Sequence, residues 1–176
     1  NGTCSNTTRG LWAGGRNASE VKSNVIQYIT IATTSNSTDF GDSTISAYGG
    51  AGCSNGTRGV FGGGYNGSYL DTMDYITIST TGNATDFGNL TVNRYSLSSC
   101  SDDTRGLFGG GSSSGQKNVI DYITIASTGN ATDFGNLTVA RNGLAACSNG
   151  TRGVVGGGGS SSGQKNVIDY ITIDTT

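Results

Sequence analysis

Histidine is absent from the 176 residues. Without it there is no imidazole general base, no Ser–His or Cys–His nucleophile pair, and no usual ligand set for a transition metal. No CxxC spacing joins the 4 cysteines, so a zinc site is not expected and no cofactor is expected. Proline is also absent. Positive charge is scarce: the net charge of -2 leaves no basic patch, so nucleic acid is not an expected partner. No apolar run approaches the ~20 residues of a membrane span. No window carries apolar residues at helical spacing. No signal peptide and no initiator methionine are visible.

What is present is repetition. GGGSSSGQKNVIDYITI begins at Gly109 and returns letter for letter at Gly157. An Arg-Gly pair recurs at Arg9, Arg58, Arg105 and Arg152, with spacings of 49, 47 and 47 residues. A period near 47 divides the single domain, 1–176, into repeats of about 1–52, 53–99, 100–146 and 147–176, the last truncated. The two ends read as cut within repeats, so the chain is expected to represent a longer natural protein, as a fragment, a processed product or its ordered part. Glycine supplies 31 residues, and the apolar residues come in short runs bounded by Gly, Asn and Ser. That is the pattern of short strands and turns.

Each repeat reads as four strands. Strand A is built of small residues, as in Gly49-Gly-Ala-Gly-Cys53, Ser96-Leu-Ser-Ser-Cys100 and Gly143-Leu-Ala-Ala-Cys147. Small side chains suit a crowded axis where inner strands converge. Strand B follows the Arg-Gly and ends in glycines, which permit positive φ and close backbone approach. Strand C, from Asn24, Met73, Asn118 and Asn166, is rich in Val, Ile, Tyr and Thr, which suits a strand covered on both faces. Strand D opens Asp39-Phe-Gly, Asp86-Phe-Gly and Asp133-Phe-Gly. Four short strands at this period predict an all-β chain of propeller blades.

At these residues the chain resembles the kelch repeat family. Arg94 and Arg141 match the family's Arg, and Leu144-Ala-Ala its small strand. Gly63-Gly64, Gly110-Gly111 and Gly157-Gly158 match its double glycine, and Tyr28, Tyr75, Tyr122 and Tyr170 its Tyr. The family's outer-strand Trp is replaced by Phe40, Phe87 and Phe134, and Ala47 stands where the first Arg belongs. The run DFGNLTVAR with LAACS and TRGVFGGG also resembles repeat proteins of marine cyanophages and related environmental sequences. The first resemblance implies a kelch-like β-propeller; the second implies a virion appendage or receptor-binding role. Four copies with incomplete ends suit a closed ring, half of a larger one completed by a second chain or further repeats, or an open fibre-like stack.

Candidate sites are few. The loops between strands B and C vary most and carry Arg16, Glu20, Lys22, Tyr65, Tyr69 and Asp71. Variable loops on a regular scaffold are where binding usually sits. Tyr65 and Tyr69 suit sugar or protein contact, because each offers an aromatic face and a polar tip. Cys4, Cys53, Cys100 and Cys147 share one register and read either as small buried side chains beside the axis or as disulfides between copies or to another chain. Asn-x-Ser/Thr occurs 11 times, at Asn1, Asn6, Asn17, Asn36, Asn55, Asn66, Asn83, Asn89, Asn130, Asn136 and Asn149. These read as turn asparagines or as glycosylation acceptors, the latter chiefly at Asn17, Asn36, Asn55, Asn66, Asn83, Asn130 and Asn149. Gly110 to Lys117 has a phosphate-loop look, but Gln116 separates Gly115 from Lys117 and a strand is expected to follow. The acids Asp39, Asp86, Asp133 and Asp74, Asp121, Asp169 repeat, whereas a catalytic pair usually breaks repeat symmetry. They are expected to bond turns or pair with the repeated Arg.

The expectation is therefore a non-enzymatic structural and recognition protein, extracellular or on a virion surface, whose exposed loops meet cell-surface glycans or partner proteins. A lectin-like glycan-binding module is the alternative. A carboxylate-dependent carbohydrate enzyme is the third reading, and it would need an acidic pair unique to one repeat.

Overall fold

The computed structural model of the protein describes residues 2–174 and contains no helix among them. Four antiparallel sheets form the blades of a β-propeller. Blade 1 is β1 (Gly2–Ser5), β2 (Arg9–Arg16), β3 (Lys22–Thr30) and β4 (Thr38–Asp42). Blade 2 is β5 (Ala51–Ser54), β6 (Arg58–Tyr65), β7 (Tyr69–Thr77) and β8 (Thr85–Asn89). Blade 3 is β9 (Ser98–Ser101), β10 (Arg105–Gly109), β11 (Val119–Thr124) and β12 (Thr132–Asn136). Blade 4 pairs β13 (Ala145–Ser148), β14 (Arg152–Gly156) and β17 (Ile168–Thr172), with a small hairpin of β15 (Gly159–Ser160) and β16 (Gly163–Gln164) inserted before the last.

Strands neighbour one another in chain order within each sheet, with the β15–β16 hairpin inserted between β14 and β17 in blade 4. The turn from first to second strand is set by one side chain. Asn6, Asn55, Asp102 and Asn149 each accept, through Oδ1, the backbone N–H groups two and three residues on. Short polar side chains favour such turns, and in each the N–H of the same residue also donates to the carbonyl three residues on.

The first strand of each sheet is the innermost, and β1 packs on β5, β5 on β9 and β9 on β13. A ladder of serines stitches them: Ser54 donates to the Ser5 carbonyl, Ser99 to Gly52, Ser101 to Ser54 and Ser148 to Ser101. The close approach needs small residues, as the sequence suggested.

Apolar burial is concentrated between blades. Leu11, Ala13, Ile26 and Phe40 of blade 1 meet Phe61, Ile76 and Ile78 of blade 2. Val60, Met73 and Phe87 meet Phe108, Ile123 and Ile125 at the next junction, and Leu107, Ile120 and Leu137 meet Val155, Ile171 and Ile173 at the third. Phe40, Phe87 and Phe134 stand edge-on to Tyr28, Tyr75 and Tyr122 at 6.0, 6.1 and 6.2 Å.

The repeated Arg-Gly anchors clamp these junctions. Arg9, Arg58, Arg105 and Arg152 lie over the rings of Tyr28, Tyr75, Tyr122 and Tyr170 in their own blades. The first three also donate to the carbonyls of Ile78, Ile125 and Ile173 in the following blade.

Both ends of the arc present an uncovered face. Ile31 is 52% exposed, whereas its counterparts Ile78, Ile125 and Ile173 are at 0%. Ile168 is 72% exposed and Tyr170 69%, whereas Ile26 and Met73, which match Ile168, are at 0%. Among the described residues no comparable packing joins β13 back to β1.

One expectation is corrected here. Arg16, Lys22, Tyr65, Tyr69 and Asp71 do not lie in loops but in β2, β3, β6 and β7. Pairing breaks at a bulge between Ala13 and Gly15 and between Gly62 and Gly64, then resumes with Arg16 opposite Lys22 and Tyr65 opposite Tyr69. The first glycine of each bulge, Gly14 or Gly63, has φ of 71° or 69°, and an added Cβ would lie 2.5 or 2.6 Å from the carbonyl oxygen of Ala47 or Arg94. Only glycine lets the strand kink there and continue.

Candidate functional site

The extended hairpin of blade 2 carries Tyr65 and Tyr69 as a cross-strand pair, with ring centroids 5.3 Å apart. Two linkers bring further tyrosines to it. Tyr48, in the linker from blade 1, forms a backbone bridge with Tyr65 and stands 5.8 Å from its ring. Tyr95, in the linker to blade 3, lies 5.9 Å from Tyr65 and 5.7 Å from Tyr69. All four rings thus form one aromatic platform. Tyr69 is 36% exposed and the other three are half-buried. Spacings in this range place the rings in tilted and edge-on contact, which holds a platform rigid.

A basic edge adjoins it. The Arg16 guanidinium sits 4.4 Å from the centroid of Tyr48 and pairs with the Glu20 carboxylate. An open groove runs beside it over Gly14 and Gly15, flanked by Arg16, Val21, Lys22 and Tyr48. Of the six sequence-selected residues, Arg16, Tyr65 and Tyr69 converge at the platform. Glu20 and Lys22 flank Arg16, and Asp71 follows Tyr69 by two residues on β7 at an exposed position. Tyr48 and Tyr95 were missed. Their signal was register: 47 residues apart, each directly follows the linker position held by Ala47 or Arg94.

The cysteines line one axial cleft and carry free thiols. Cys4, Cys53 and Cys100 are buried, each with Sγ against the strand-B glycine of the next blade; Cys147 is exposed. Burial pushes the Cys4 thiol up to about 12 and the Cys100 thiol up to about 11. Cys53 is raised further by burial and by its neighbours Cys4 and Cys100.

Six of the selected asparagines use their side-chain oxygen to accept backbone N–H groups, four within their own turns and two across blades. Asn17, Asn55, Asn66 and Asn149 accept backbone N–H groups within their own turns. Asn83 and Asn130 accept from Asp42 and Asn89 of the preceding blade. Asn36 lies in an exposed turn, and Asn1 falls outside the described residues. The phosphate-loop look-alike leads into strand β11 at Val119, as expected.

The repeated acids of strand C bridge blades. Asp121 is fully buried, takes the Arg94 guanidinium at 2.9 Å and accepts from Thr91. Asp169 takes Arg141 at 2.9 Å and accepts from Thr138. Asp74, the matching residue of blade 2, accepts from the N–H and hydroxyl of Thr44, but the Arg position is Ala47. Burial raises the Asp74 carboxyl above its ordinary value, against the lowering effect of the Thr44 hydrogen bonds.

No family model matches the chain, and no curated protein matches it.

Proposed function

We propose that this is a non-enzymatic structural and recognition protein, an extracellular or virion-surface component whose kelch-like blades extend or close by self-association or further repeats. The tyrosine platform carries the reading. Four rings on one side of the propeller, beside the Arg16 and Lys22 groove, make a surface for sugar rings or a partner's apolar side chains. Aromatic faces stack on such groups while tyrosine hydroxyls bond polar ones. Self-association is supported by the uncovered faces at Ile31 and Ile168, whose counterparts elsewhere are sealed by a preceding or a following blade respectively. The pairing of Asp121 and Asp169 with Arg94 and Arg141 supports a structural role for the repeated acids. The resemblance of the repeats to cyanophage sequences supports the virion setting.

A lectin-like module is the second reading, favoured by the same platform. A glycan array tests both. Saturable binding to a defined glycan, lost in Tyr65→Ala/Tyr69→Ala with an unchanged melting curve, is the expected result for the lectin. Protein capture lost in the same variant supports recognition of a partner. Binding that survives the double substitution overturns the assignment of the platform.

A further inference from the structure

The three blade junctions are built alike except at one point. At the second and third, a linker arginine crosses from one blade to the next. Arg94 Nη2 donates to Asp121 and to the Phe108 carbonyl, and Arg141 donates to the Val155 carbonyl with Asp169 2.9 Å away. At the first junction the linker keeps its course, because Gly15 N–H bonds the Ala47 carbonyl as Gly64 N–H bonds that of Arg94. The acidic residue is kept too, as Asp74. Only the guanidinium is missing.

Its space is not filled. A cavity of about 50 Å³ lies between the blades, lined by Asp74, Phe61, Ala47 and Ile45, with Tyr48 and Leu70 at its side. A cavity needs at least roughly 10–15 Å³ to admit one water, so this one has room for a group larger than a single water. Guanidinium has four heavy atoms. The geometry of the walls agrees. An added Cβ on Gly111 would lie 3.3 Å from the Arg94 side chain, whereas at the matching Gly64 the neighbour is the Ala47 methyl group at 3.4 Å. Asp74 is only 6% exposed, and Phe61, whose register matches Phe108, also faces the cavity.

We propose that this cavity is a binding site for a guanidinium cation, with the Asp74 carboxylate as counter-ion and the Phe61 carbonyl as second acceptor. The site copies the arrangement that the chain itself uses around Arg94. A planar cation with in-plane donors meets both acceptors with directed hydrogen bonds, as Arg94 does at the next junction. Tyr48 borders both this cavity and the Arg16 groove, so an arginine side chain of a partner can approach from that side. The proposal does not depend on what the tyrosine platform binds.

Thermal unfolding in guanidinium chloride at low millimolar concentration, against equal sodium chloride, tests it. A ligand at tenfold its Kd raises Tm by about 3–6 °C for a chain of this size. The expected result is that rise in the natural chain and its loss in Ala47→Arg, whose own guanidinium occupies the cavity. Ala47→Arg should itself melt higher than the natural chain. Asp74→Asn should also lose the response, and Tyr65→Ala/Tyr69→Ala should keep it. N-acetyl-arginine amide giving the same rise assigns the site to arginine side chains, and a rise with guanidinium alone assigns it to the small cation. An equal response in the natural chain and in Ala47→Arg overturns the proposal.

Discussion

Gly106→Ala tests the packing of the blades directly. Gly106 of β10 lies under Cys53 of the preceding blade, and an added Cβ would stand 2.4 Å from its Sγ. Gly59 and Gly153 face Cys4 and Cys100 in the same way, at 2.5 and 2.6 Å. Gly10 is the fourth member of this register, but its added Cβ meets only Ile29, at 3.6 Å, because its blade has no neighbour on that side. Non-bonded heavy atoms settle near 3.5–4.0 Å, so at Gly106 about an ångström must be found. The serine ladder on both sides of β5 and β9 resists that shift. Overpacking of this kind costs about 1–3 kcal/mol. Both substitutions remove a similar amount of unfolded-chain entropy, about 0.4–1 kcal/mol in favour of the fold. That contribution cancels between them, so Gly106→Ala should lie about 1–3 kcal/mol below Gly10→Ala, or roughly 2–12 °C in Tm. Urea unfolding followed by circular dichroism measures the difference. Adding Cys53→Ala to Gly106→Ala removes the sulfur and should recover much of it. Equal stability of Gly106→Ala and Gly10→Ala would refute the account of the junction.

Two further outcomes follow from the same contacts. A thiol reagent at pH 8 should label Cys147 at once, while Cys4, Cys53 and Cys100, buried and with raised pKa, react only as the chain unfolds; fast labelling of all 4, or of none, contradicts this. Arg94→Ala leaves the Asp121 carboxylate buried without its cation and should cost about 3–5 kcal/mol in urea unfolding, with Asp121→Asn added to it restoring much of the loss. A cost under about 1 kcal/mol would show that the pair contributes little.

Local chemistry made much of this architecture legible. The small residues at Ala51, Gly52 and Cys53 marked the inner strand because nothing larger fits beside a neighbouring backbone. The repeated acids were expected to bond turns or to pair with the repeated Arg; Asp121 with Arg94 and Asp169 with Arg141 pair, while Asp74 bonds Thr44. The hairpin extensions were not legible, because a glycine bulge ends one register and begins another, and Gly14-Gly15 looks like the end of a strand. The platform was half legible. Tyr65 and Tyr69 are neighbours in sequence, but Tyr48 and Tyr95 reach them only through linkers that cross between blades. Ala47 was visible as a departure from the repeat; its consequence for Asp74, 27 residues on, required the junction itself.

The anchor arginines carry one more implication, for how such a chain changes length over generations. Each of Arg9, Arg58 and Arg105 reaches forward to an isoleucine carbonyl one blade ahead, and among the described residues none of these three arginines skips a blade. Each of these three contacts is therefore specified by two adjacent repeats. The stretches beginning at Gly109 and Gly157 are identical in amino-acid sequence, so neighbouring repeats carry interchangeable parts. Loss or gain of one whole period there deletes or adds a blade and leaves each surviving seam with the parts it had before. The number of blades is thus free to drift while the blade itself stays constant.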